Sequence, residues 1–151
     1  MHVIAFAHIE NFFLSEEFLS VVSGVVGRDC ETIIRTAQER FFSDLVENKS
    51  EIANRFACGV ILDALSKFPG GDPEVALEAI KTLKLSDLRD AECGRLEDVV
   101  IKRNYRFALS SVKNKGILRK TLTELGIETG QNYEGLRELV TKNDTQFRKV
   151  F

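Results

Sequence analysis

Seven cations fall between residues 101 and 120: Lys102, Arg103, Arg106, Lys113, Lys115, Arg119 and Lys120, with no carboxylate among them. The stretch carries +7 against −8 in the preceding hundred residues, in a chain whose net charge is only −2. Clustered lysine and arginine suits phosphate binding, because neutralising phosphates releases their condensed counterions. Tyr105 and Phe107 are interleaved with the cations, and aromatic rings stack on bases. The block predicts a contiguous positive surface for an acidic partner, either nucleic acid or protein. The competing expectation puts both rings in the core and pairs the cations with carboxylates of this molecule or a partner.

Other chemistries find less support. The two histidines, His2 and His8, are six residues apart, which suits neither one helical face nor a zinc pair. Asp87 and Asp90 share a helical face, as a metal site or an acid–base pair would require, but Lys84 and Arg89 lie among them as in a solvated face. Glu16/Glu17 and Glu97/Asp98 are further carboxylate pairs. The acid–lysine spacings Glu78 to Lys81 and Asp98 to Lys102 do not match the Glu-x-Lys triplet of metal-dependent nucleases. No P-loop, GxGxxG, GxSxG or HExxH occurs. Arg28 lies near Cys30 and Arg95 near Cys93, while Cys58 sits in an apolar stretch that predicts an inert thiol. These patterns predict no catalytic residue, no metal and no cofactor.

The three cysteines are odd in number and widely spaced, which predicts free thiols packed as small core residues in a reducing compartment. Val3 to Ala7 is apolar but lacks the basic flank and length of a signal peptide, and no run approaches the roughly 20 apolar residues of a membrane span. A cytoplasmic protein without a membrane partner is expected. Eleven Phe stand beside two Tyr and no Trp, so most aromatic area lacks a polar handle and is assigned to the core. Apolar residues at 44% and charged residues at 29% describe a globular chain, and 151 residues suit one domain, 1–151.

Helix signals recur along that domain. Ser15 can cap a helix that Gly27 breaks, and Asp29 can cap one carrying Ile33, Ile34, Ala37, Phe41 and Leu45 at spacings of three and four. Ser50 can cap a third, apolar nearly all round from Ile52 to Phe68, which predicts a central helix. Phe56 and Ile61 would then be buried, with Phe56→Ala costing about 3–5 kcal/mol. Pro69 to Glu74 punctuates the chain, Asp72 capping a helix that starts at Pro73. Ser86 caps the next. The stretch DPEVALEAIKTLKLSDLRDAECGRLEDVV, residues 72–100, resembles in its opening and spacing a helix pair of HEAT-like repeats, which implies two helices here.

Residues 99–112 fit two patterns. Val99, Ile101, Tyr105, Phe107 and Leu109 suit a strand, with Arg103 on the wrong side, while Ile101, Tyr105, Ala108, Leu109 and Val112 share a helical face. Helical neighbours favour the helix. The alternative is an α+β domain with a two-stranded sheet from residues 2–9 and 99–109. A turn at Asn114-Lys115-Gly116, a helix Ile117–Leu125 stopped by Gly126 and a last helix from about Asn132 form a helical hairpin. The expected architecture is a mostly all-α, single-domain multi-helix bundle. Its expected role is that of a non-catalytic interaction protein, with a protein partner or a second copy. Nucleic-acid binding through residues 102–120 is the alternative, and an enzyme with an unrecognised site the third.

Overall fold

A computed structural model describes residues 9–67, 71–113, 116–128, 130 and 133–151. Its regular structure is helical throughout, with no strand among the described residues. The elements are α1 (Ile9–Phe12), α2 (Glu16–Val26), α3 (Cys30–Glu47), α4 (Lys49–Ser66), α5 (Pro73–Lys81), α6 (Leu85–Lys102), α7 (Tyr105–Ser111), α8 (Ile117–Glu124), α9 (Glu134–Lys142) and α10 (Asp144–Phe147). No helix among the described residues is long and apolar enough to cross a membrane. Two compact units divide the chain, one formed by Met1–Asp44 with Arg103–Phe151 and the other by Leu45–Lys102.

Local chemistry sets most helix ends. Ser15 Oγ accepts from the Phe18 N–H at 3.3 Å, and Gly27 closes α2 at φ 68°, where a side chain would be strained. Asp29 Oδ2 accepts from the Thr32 N–H at 2.8 Å, and that bonding holds its carboxyl below the usual range. Asp72 caps α5 through the Glu74 N–H at 2.9 Å, with Pro73 at the first position. Gly126 ends the α8 turn at φ 71°, and the Ile127 N–H reaches back to the Leu122 carbonyl at 2.9 Å. Two expected caps differ: α4 starts at Lys49, before Ser50, and α6 starts at Leu85, before Ser86. The helix pair implied by the HEAT-like stretch is present as α5 and α6.

Residues 99–112 are neither a strand nor one helix, so the two-stranded sheet with residues 2–9 is not formed by them; residues 2–8 lie outside the described set. Helix α6 runs on to Lys102, Arg103 turns out at φ 47°, and Asn104 starts α7 by accepting from the Phe107 N–H at 3.0 Å. The alternation that mimics a strand arises because an interrupted helix resets its phase at the cap.

The central-helix assignment of α4 is also overturned. Ile52, Ala53 and Ala57 are buried, but Phe56 is 45% exposed, Leu62 is 67% exposed and Ile61 is only half-buried. In the second unit α4 packs on α6 and on α5, and Lys49 pairs with Glu97. Two neighbours cover one side of a helix and leave apolar side chains on the other. Phe56 therefore lacks the enclosed setting behind the expected truncation cost. Cys58 is exposed, while Cys30 and Cys93 are half-buried; all three are free thiols, and none is a fully buried core residue.

The first unit holds the larger aromatic core. Phe18, Phe41 and Phe147 are fully buried, and Tyr105 meets Phe41 edge-on at 5.8 Å. The Tyr105 hydroxyl donates to the Leu14 carbonyl at 2.6 Å, tying α7 to the chain between α1 and α2. Burial, then the Glu16 charge, pushes its pKa well above the ordinary value. The folded state thus holds this proton more tightly than the unfolded one. That stability is complete below about pH 10 and is lost as pH rises above it. Tyr105→Phe is expected to cost about 1–3 kcal/mol at pH 7, because the Leu14 carbonyl loses its donor. The variant also loses less stability than the wild type between pH 7 and 11, measured by urea denaturation at both. An equal alkaline loss in the two proteins would contradict the assignment.

Candidate interaction surface

The basic block is distributed among several roles. Arg106 on α7 pairs with Glu17, and Lys120 on α8 pairs at 2.8 Å with Asp44, whose side chain is only 7% exposed. The Arg103 guanidinium lies over the Phe42 ring, 5.0 Å from its centroid, and Arg119 lies 5.5 Å over Tyr133. Lys102 and Lys113 are exposed and make no ion pair among the described residues. Lys115 lies outside the described residues. Tyr105 is buried and unable to stack on a base, whereas Phe107 is half exposed. Four of the seven cations thus contact the protein's own rings and carboxylates.

Four of the six paired carboxylates have partners of a similar kind. Glu16 accepts from Gln38 at 2.9 Å, Glu17 holds Arg106, Glu97 holds Lys49, and Asp90 lies 3.4 Å from Arg89. The nearly buried Glu92 takes two hydrogen bonds from Arg95, at 2.8 and 2.6 Å. No three His, Cys, Asp or Glu gather as metal ligands among the described residues. His2 and His8 lie outside that set.

A cleft of about 420 Å³ opens in the first unit beside Phe13, Leu118, Leu136, Val140, Glu10 and Arg137. Glu10 accepts from the Gly116 N–H at 2.9 Å and the Tyr133 hydroxyl at 3.1 Å, so its carboxylate serves to join loop and helix. Burial and then the Glu10 charge raise the Tyr133 pKa. Gly135 fixes the adjoining wall: a Cβ there would fall on the Glu128 carbonyl, so only glycine allows α9 this close. The lining is mostly apolar, with Glu10 and Tyr133 bonded to each other at its edge.

The second unit presents the more distinctive surface. One side of α4 carries Cys58, Leu62 and Leu65, all exposed, Phe56 is half exposed farther around the helix, and α5 adds Val75 at 54% and Leu77 at 55% exposure. Helix α5 has no buried residue, although its apolar positions recur at helical spacing. Two ion pairs on α4 flank the patch, Glu51 with Arg55 and Asp63 with Lys67. An apolar strip with a charge-balanced border resembles the core and rim of a protein interface. Sequence reasoning found these apolar residues but assigned them inward, since composition does not distinguish a surrounded helix from a partnered one.

No protein-family model matches the chain, and neither the curated proteins nor the solved structures compared with it contain a match.

Proposed function

We propose that this chain is a non-catalytic helical interaction protein that binds a protein partner through the outer faces of α4 and α5. The observation that carries this reading is the row of exposed large apolar side chains there, led by Leu62 at 67% exposure. Exposing such residues together costs solubility and is offset when a partner removes them from water. Acids and bases balance along the α4 border, which favours an apolar protein surface over a polyanion.

Cys58 reports on the face directly, being exposed on it. In cells overproducing the chain, alkylation of Cys58 is expected to be several-fold slower than in dilute purified protein. Nuclease treatment of the lysed cells is expected to leave that protection unchanged. Equal rates in cells and in dilute solution would overturn the reading; protection abolished by nuclease would replace it with the nucleic-acid alternative.

A further inference from the structure

We infer that the cleft of the first unit binds an aliphatic carboxylate of medium length, its chain laid over Leu118 and Leu136 and its head group held by Arg137. All of the lining belongs to the first unit, so this inference goes beyond the α4–α5 reading and stands or falls without it. Leu118 on α8 and Leu136 on α9 are almost fully buried and give the cleft an apolar floor. Ile9 and Phe151 line it as well, and at 69% and 62% exposure they leave large apolar area in water at the rim. A hydrocarbon chain lying there removes apolar surface from water on both partners, which is the main drive for binding. A volume of about 420 Å³ is near the small end for ligand sites and suits a chain such as decanoate better than a long acyl group.

The polar lining selects the head group. Glu10 has both oxygens engaged, Oε2 by the Gly116 N–H and Oε1 by the Tyr133 hydroxyl. The Thr141 hydroxyl donates to the Arg137 carbonyl at 2.8 Å. Arg137 differs: it is exposed, and its guanidinium makes no ion pair or ring contact among the described residues. Leu136, Arg137, Val140 and Thr141 recur at three and four along α9, so this cation stands on the same side of the helix as the apolar lining. The spare hydrogen-bonding capacity of the lining is thus a planar fork of charged donors, which matches a carboxylate bidentately and has no such match in an alcohol or an amine. Its exposed position lets the head group keep part of its hydration while the chain is covered. Glu10 also carries its charge into the lining, which favours a monoanion over a more highly charged phosphate.

Titration of the full chain with decanoate, followed by methyl-resolved NMR, is expected to shift the signals of Leu118, Leu136 and Val140. Those of Leu62 and Leu65, exposed on α4, are expected to stay in place and so serve as the control for general apolar association. Decanoate is expected to bind at least about tenfold more tightly than hexanoate, because the added CH₂ groups are partly buried. Arg137→Gln removes the charge from an exposed side chain and is expected to leave the helical circular dichroism spectrum unchanged. It should weaken decanoate several-fold and leave the affinity for decanol, which has the same chain and no charge, as it was. Absent shifts at the cleft, or equal shifts at Leu62 and Leu65, would overturn the site. Undiminished decanoate affinity in Arg137→Gln, or an equal loss for decanol, would overturn the carboxylate as its ligand.

Discussion

Phe18→Ala is expected to destabilise the first unit by about 3–5 kcal/mol, the range for removing an enclosed aromatic ring. Phe18 is fully buried, and its ring meets Phe13 edge-on at 5.1 Å, Phe147 at 5.2 Å and Phe12 at 5.9 Å. These partners come from α1, the turn after it and α10, so the ring links segments well over a hundred residues apart in sequence. Truncation leaves a void walled by other rigid rings, which are poorly able to collapse into it. Both tyrosines of the chain, Tyr105 and Tyr133, lie in this unit, and with no tryptophan present their fluorescence reports on it. The urea midpoint should move down by roughly 2 M. Phe56→Ala provides the contrast, since Phe56 is half exposed on α4 and its removal opens no enclosed void. Equal losses from the two substitutions would mean that the burial assignment is wrong.

Legibility from sequence was highest where the governing chemistry is local. Ser15, Asp29, Asp72, Gly27 and Gly126 mark helix ends within a few residues of the groups they bond, so the all-α architecture could be read from them. It was lowest where the outcome depends on distant partners. Phe18 and Phe56 are the same residue type in similar helical patterns, yet one is fully buried and the other half exposed, and no local pattern encodes that difference. The charge block shows the same limit: its seven cations were evident, but their acceptors Glu17 and Asp44 lie far back in the sequence.

Asn11 is the clearest group that sequence reading passed over, and Asn11→Asp is expected to cost about 3–5 kcal/mol at neutral pH, as for an uncompensated buried charge. The Asn11 side chain is fully buried, and its Nδ2 donates to the Leu109 carbonyl at 2.8 Å and the Val112 carbonyl at 2.7 Å. It thereby satisfies carbonyls at the end of α7 that the helix itself leaves without donors. Both Nδ2 hydrogens are used, while Oδ1 has no partner among the described residues, so the donors account for the amide being here. Aspartate has nearly the same shape but turns a double donor into an acceptor facing two carbonyl oxygens. Burial and those dipoles would raise the new carboxyl's pKa above its unfolded value of about 3.9. The sign follows: the folded variant binds the proton more tightly, so its stability is greatest below about pH 4 and is lost as pH rises through the folded pKa. When protonated, the acid can donate to one of the two carbonyls and regain part of the wild-type bonding. Asn11→Leu, by contrast, should be destabilising to the same degree at pH 5 and pH 7.5, since it carries no titrating group. Urea denaturation of both variants at these pH values, referenced to the wild type, separates the cases; an Asn11→Asp deficit that is identical at both would remove Asn11 from this capping role.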